Sequence, residues 1–355
     1  MAATATGIFH TSYASELRLR HTGAERFRML AALAAVIALP WTLDNYWLGI
    51  ANLVGIAVIG AVGLNILVGY TGQISLGQGG FLAVGAFTSA TLAGKAGLPV
   101  PIAMLGAILL TAAAGALFGL PALRLKGLYL AIATLASQVI IITVVRRWTW
   151  LTGGEGFGVD VERITILGWR PPRAAFEFTW YWIILGLAAL AVITARNLFR
   201  SALGRSFMAV RDHDIAAAAI GVNLTRIKLT AFAISSGYVG LAGALLAHYQ
   251  ESISFEKFQL DVSIAYLAMI IVGGLGSVAG AVYGAAFITL LNPLLDELAA
   301  ALQTTVPFLA PDKLPALKNI TFGLVIILFL LFEPRGLDRI WRRAKEYVRF
   351  WPFRY

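Results

Sequence analysis

The chain has 355 residues, of which 59% are hydrophobic and 13% charged, with a mean hydropathy of +0.79. That balance excludes an ordinary water-soluble domain, and apolar runs of roughly 20 residues indicate a polytopic all-α membrane protein instead of a β-barrel of short alternating strands. With no cysteine there are no disulfides or thiolate ligands, the four histidines lack ligand spacing, and the net charge of +10 gathers at segment ends, where it reads as membrane topology and not as nucleic-acid binding.

In chain order, residues 1–26 form a basic polar tail without a small-residue cleavage site, expected to be cytoplasmic and not a signal peptide. Apolar runs follow at 27–43 and 48–68. The second leads into a stretch rich in glycine and amides, with Gly69, Gly72, Gln73, Ser75, Gly77 and Gln78, before apolar sequence resumes to residue 93. Runs at 98–120 and 127–145 flank a short link with Arg124 and Lys126. The polar outer loop 146–178 holds Arg146, Arg147, Glu155, Asp160 and Glu162, and the acidic residues are offered as partners for the two arginines. Further runs at 179–195 and 229–247 enclose a polar island within 196–228. Apolar sequence returns at 262–291, interrupted by Gly273, Gly274 and Gly276; a Pro-punctuated loop with Asp296, Glu297, Pro307 and Pro311 follows. A last run, 320–332, precedes a basic tail at 335–355.

The basic tails, the Arg124/Lys126 link and the island should share the cytoplasmic side. They can do so only if both interrupted runs are crossed twice, by short helices meeting at the glycines. The parity gives ten crossings within 27–334, with both termini inside.

Glycine-interrupted segments at matching places in two halves point to a permeation path in transporters, whereas glycines four apart also let helices pack closely. Gly276, Gly280 and Gly284 fit close packing. Gln73, Ser75 and Gln78 fit a polar path better, with Ser75 and Gln78, three apart, expected on one helix face. The island reads as one short helix: Asp212 and Asp214 favour its N-terminal end, alanines 216–219 form its body, and Gly221 can take the left-handed conformation that ends it. Asn223 and Thr225 offer a cap for the next helix, beginning near Arg226. Such an island is either a solvated loop or a docking helix, and its tight punctuation favours docking. No phosphate-cradling loop ending in Lys-Ser/Thr is present, and no acidic residue sits mid-span to couple an ion gradient, so the energy for any transport is expected from a partner.

Residues 63–78, GLNILVGYTGQISLGQ, resemble the signature of permease subunits of branched-chain amino acid ABC importers. So do GRSFMAVRD at 204–212, continuing through Ala217 and Ala218 to Gly221 and Lys228, GLAGA at 240–244, GGLGS at 273–277 and EPRGL at 333–337. The longer outer loop is similar to that of the larger of the two permease types. The resemblance implies an ABC-importer permease fold in a bacterial inner membrane and a complex of this chain, a second homologous permease, two cytoplasmic ATPases and an extracytoplasmic solute-binding protein, surrounded by lipid. It places ATP and magnesium in the ATPases, with no cofactor and no catalysis in this chain. It makes the island the coupling element, with Arg205, Arg211, Asp212, Asp214, Ala217, Ala218, Gly221 and Lys228 as its candidate residues. Asn65, Gln73, Ser75 and Gln78 are the path candidates. The general importer loop carries Glu-Ala-Ala six residues before a glycine; here Ile215 takes the glutamate's place, with Asp214 alongside. Branched-chain or related amino acids are the implied substrates. Urea or a short amide remains an alternative, and the competing classes are an ion-coupled carrier and a channel or non-transporting scaffold.

Overall fold

The structure is a computed structural model that describes residues 23–149, 158–161, 172–305, 314–332 and 336–350. The tail 1–22, Glu155 and Glu162 (offered from sequence as partners for Arg146 and Arg147), Pro307, Pro311, and residues 333–335 of the closing motif lie outside the described residues.

Nearly all of the described chain is helical. The helices are α1 (Gly23–Thr42), α2 (Asn45–Thr71), α3 (Gln78–Gly94), α4 (Val100–Phe118), α5 (Leu128–Arg147), α6 (Phe176–Arg200), α7 (Ala202–Asp212), α8 (Asp214–Ala219), α9 (Leu224–Gln250), α10 (Leu260–Gly273), α11 (Val278–Thr305), α12 (Leu314–Phe332) and α13 (Leu337–Phe350). Among them, α2, α4, α5, α6, α9 and α11 are long and apolar enough to cross a membrane by length and composition. A two-residue antiparallel pair, β1 (Val159–Asp160) with β2 (Ser252–Ile253), ties the outer loop to the segment after α9.

Local chemistry sets the helix ends. Gly72 closes α2 at φ +69, with its N–H bonded to the Leu67 carbonyl. Asn223 caps α9, its Oδ1 accepting from the Arg226 amide at 3.0 Å, as the sequence predicts. One expectation fails: the loop expected around Asp296 and Glu297 is helical, because α11 continues through Pro293 to Thr305. Proline is tolerated inside membrane helices, where neighbouring groups re-satisfy the freed backbone. The basic C-terminal segment is likewise a helix, α13.

Of the membrane-length helices, two are mostly interior. The membrane-length window of α2 is 78% buried and that of α9 61%, against 33% for α4, α6 and α11, so the latter three lie outside. Helix α9 packs on α2, α3 and α4, and α2 also meets α6 and α11. The α3–α9 crossing is a backbone-to-backbone approach. A Cβ on Gly243 would lie 2.2 Å from the Leu82 carbonyl oxygen, and one on Gly85 2.3 Å from that of Gly240. Helices α10 and α11 meet similarly through Gly273, Gly280 and Gly284. Close packing is therefore what the glycines at 280 and 284 provide.

Gly243→Leu should force α3 and α9 apart, costing about 1–3 kcal/mol or more through overpacking. The expected result is a thermal midpoint lower by several degrees and a smaller monodisperse fraction in detergent. Gly186→Leu on α6, where a Cβ meets nothing within 4 Å, should change neither.

Candidate functional site

The two glycine-rich breaks, far apart in sequence, meet at one end of the bundle. A helix that stops leaves carbonyls open, and a chain that turns leaves amides open; both are costly away from water. Asn65, buried on α2, satisfies both kinds in the second break: its Nδ2 donates to the Ser277 carbonyl at 2.9 Å and its Oδ1 accepts from the Gly276 amide at 3.0 Å. The last turn of α2 receives a cation, with the Arg211 guanidinium donating to the Gly69 carbonyl. Arg211 reaches it because its path is lined by glycines. A Cβ on Gly276, where φ is +76, would lie 2.6 Å from Nη1, and one on Gly72 3.3 Å from Cγ. Gly69 itself sits 2.5 Å, measured from an added Cβ, from the Gly276 amide nitrogen. Asn65, Gly69, Gly276 and Arg211 thus form one junction joining the polar island to both breaks.

The island is two helices and not one. Ser201 caps α7, accepting from the Gly204 amide at 3.3 Å, and Phe207 and Val210 turn inward. The chain then breaks at His213, in extended conformation, before α8. Asp212 therefore ends α7 and does not start a helix; Asp214 alone opens α8. The reason is the tertiary pull of Arg211, which fixes the end of α7 against α2. Gly221 adopts φ +91 with open space around it, so it serves the backbone conformation and not packing.

The faces of α8 reverse one expectation. Ala217, expected to meet a partner, is buried within the chain, while Ile215 and Ile220 are 73% and 78% exposed. Ala218 and Gly221 are exposed with them, as is Arg205, whose guanidinium bonds the Arg200 carbonyl. Lys228 turns inward, donating to the Ala122 carbonyl at 3.3 Å. A salt bridge from Lys126 to Asp214 fastens α8 to the link before α5. The Lys126 ammonium holds the Asp214 carboxyl below the ordinary carboxylate range. A cavity of about 300 Å³ lies between these parts, lined by Gln73, Lys126, Arg211, Asp212, Asp214 and Lys228 among others.

The amide-rich stretch also differs from expectation. Residues 72–77 form neither helix nor strand, so Ser75 lies before α3 and shares no helix face with Gln78. The Ser75 hydroxyl accepts from the Gly77 amide at 3.3 Å, and the Leu76 amide donates to Thr134 Oγ1 at 2.9 Å. Gly77 abuts α5, where a Cβ would lie 3.0 Å from the Thr134 carbonyl oxygen. Gln73 donates to Thr71 Oγ1 at 3.2 Å, and its own Oε1 is buried without a hydrogen-bond partner beside the cavity. Gln78 donates to the Gly60 carbonyl at 3.1 Å. Gly60 lies eleven residues before Thr71, so α3 begins about 16 Å back along α2 from its end. The start of α3 meets a second polar cluster there. The Gly79 amide donates to Ser263 Oγ (2.8 Å), Ser263 Oγ donates to Gln138 Oε1 (2.7 Å), and Gln138 Nε2 donates to the Phe258 carbonyl (3.2 Å). Gln138 and Ser263 were not singled out from sequence. A lone amide inside an apolar run is the signal that marks Gln138; Ser263 carries none.

The four path candidates thus separate: Asn65 belongs to the junction, Gln73 to the cavity, Ser75 to the non-helical stretch 72–77 and Gln78 to the second cluster. Among the described residues no group of three or more histidine or acidic side chains is placed to hold a metal.

Two outcomes follow for the junction. Asn65→Leu leaves the Gly276 amide and Ser277 carbonyl unpaired, at about 1–3 kcal/mol each, and should lower the thermal midpoint more than Asn65→Asp, which keeps the acceptor. For the Lys126–Asp214 pair, the folded-state carboxyl titrates below its ordinary value of 3.8. Its contribution is therefore full above that value and lost only as pH falls through the lowered pKa. Local proteolysis of the 213–223 segment should be unchanged between pH 8 and pH 5 in the native chain, and raised at both in Lys126→Ala.

A family model described as the branched-chain amino acid transport system / permease component matches residues 46–330. The high-affinity branched-chain amino acid transport system permease proteins LivM of Salmonella typhimurium and Escherichia coli are each 31% identical over 336 residues, covering 89% of this chain and 75% of theirs. The autoinducer 2 import system permease protein LsrC of Salmonella paratyphi B is 27% identical over 338 residues, 90% of each chain. No solved structure matches significantly.

Proposed function

The chain belongs to the branched-chain amino acid transport permease family, and from that membership we propose that it forms half of the translocation path of an importer for branched-chain or related amino acids. It is an ABC permease component, a non-catalytic multi-pass membrane subunit. In the proposed assembly it pairs with a second homologous permease, two cytoplasmic ATPases that hold ATP and magnesium, and an extracytoplasmic solute-binding protein. Its ten crossings carry both termini on the cytoplasmic side of a bacterial inner membrane. The similarity to LivM favours amino acids over urea or short amides. The LsrC proteins, named for autoinducer 2 import, show that relatives carry other cargo.

The observation that carries the coupling assignment is the junction. Arg211 joins the island directly to the end of α2 and to the second break, so displacement of α7 and α8 is transmitted to both discontinuities. Ile215 and Ile220 offer the exposed apolar face that an ATPase groove would cover. Coupling residues then divide by role: Ile215, Ala218 and Ile220 dock, Arg211 transmits, and Asp214, Ala217 and Lys228 hold the element in place. Asn65, Gln73, Ser75 and Gln78 remain the path candidates, and Gln73, facing the cavity with an open acceptor, is the strongest of the four.

Ile215→Asp with Ile220→Asp should reduce ATPase co-purification and ATP-driven leucine uptake in proteoliposomes at least several-fold, with unchanged permease yield. Arg211→Ala should retain ATPase association yet lose uptake. Normal uptake by both would remove the island from coupling. Uptake driven by an ion gradient without ATPases would remove the ABC reading of transport. For topology, the cysteine-free chain allows single reporters: Glu256→Cys should react with an impermeant thiol reagent from outside and Ala202→Cys only from inside.

A further inference from the structure

Helix α13 has a pattern that transport by the bundle does not require. At 100° per residue its sequence, LDRIWRRAKEYVRF, places Leu337, Ile340, Trp341, Ala344 and Tyr347 on one arc. Its charged residues occupy the opposite arc, five basic (Arg339, Arg342, Arg343, Lys345 and Arg349) against two acidic (Asp338 and Glu346).

The position of the helix is fixed at its start. Gly336, at φ +77, is packed so closely on the second break that a Cβ would lie 2.5 Å from the Gly274 amide nitrogen. Leu337 is half-buried against the core, and the buried Asp338 is held by Arg342 one turn on. The apolar arc faces the flank of α11, where the Trp341 ring stands 6.3 Å from that of Tyr283. Beyond that contact the arc is uncovered: Ile340 is 42% exposed and Trp341 and Tyr347 are each 61% exposed. The uncovered surface has the same chemistry as the outer face of the preceding helix α12, where Ile327 and Leu331 are exposed.

We infer that α13 lies in the plane of the bilayer interface and binds anionic phospholipid headgroups. Trp341 and Tyr347 have the amphipathic rings that settle at the boundary between acyl chains and headgroups. The opposite arc carries the excess of positive charge that an anionic leaflet attracts. A protein partner would require a cover for the apolar arc and a separate acidic surface for the arginines; the anionic interface supplies both on one surface. Since Gly336 at the start of α13 is pinned to Gly274, lipid composition is felt two residues from Gly276 of the junction.

The test uses the full chain in nanodiscs, with single cysteines at Tyr347 (apolar arc) and Glu346 (polar arc) labelled with an environment-sensitive fluorophore. Size exclusion checks that each variant is folded. In discs containing phosphatidylglycerol, lipid-borne spin labels should quench the reporter at 347 several-fold more than that at 346. Quenching at 347 should fall when phosphatidylcholine is the only lipid, and in Arg339→Glu with Arg343→Glu. Equal quenching in neutral and anionic discs overturns headgroup binding. An aqueous reporter at 347 in both overturns the interfacial position. A reporter shielded only when ATPases or a second permease is added assigns the face to protein and overturns the inference.

Discussion

The structure depends on satisfying backbone groups where helices are interrupted inside an apolar environment. An unpaired amide or carbonyl there has no water to turn to, so each break must be answered by a side chain from elsewhere in the chain. Asn65 answers the second break and Arg211 the end of α2. Because the same few residues serve both, the breaks cannot move independently. The glycines at 69, 72 and 276 are part of that answer, since side chains there would occupy the space that Asn65 and Arg211 require. Gly77, Gly273 and Gly274 allow the neighbouring backbones to approach.

In the proposed assembly, this arrangement would let a permease without catalytic groups respond to ATP hydrolysed by its partners. Helices α7 and α8 are anchored on three sides: Arg211 to α2, Asp214 to Lys126, and Ala217 into the chain. The exposed isoleucines are on the remaining side. A force applied through them reaches the breaks through short, charge-assisted contacts and not through a flexible loop. About 16 Å further along α2, the cluster of Gln78, Gly79, Gln138 and Ser263 holds the start of α3, so the non-helical stretch 72–77 is fixed at both ends. The cavity with Gln73, Lys126 and Lys228 lies beside the cytoplasmic end of that stretch in the proposed orientation.

Much of this was legible in the sequence. Membrane class, the position of each apolar helix, the two breaks, the left-handed Gly221 and the Asn223 cap all follow from residue type and short-range spacing. Some local readings failed for tertiary reasons. The island divides at His213 because Arg211 is drawn to α2, and Ser75 lies outside a helix because Gly72 turns the chain at φ +69 and the Leu76 amide is bonded to Thr134 of α5. Helix α11 passes through Pro293 because a membrane helix keeps its remaining bonds when one is lost.

What the sequence determined by itself is therefore composition, periodicity and backbone permission: apolar length fixes what can enter a bilayer, and glycine or asparagine fixes where a helix can end. Those properties act over a few residues and need no knowledge of neighbours. Only the tertiary structure decided which group satisfies which. Asn65 and Ser277 are 212 residues apart, Arg211 and Gly69 are 142 apart, and the choice of Ile215 and Ile220 over Ala217 as the outward face depends on how α8 lies against the bundle. Hydrogen-bond partners in a membrane bundle are set by which helices stand side by side, and that is a property of packing that no local pattern encodes.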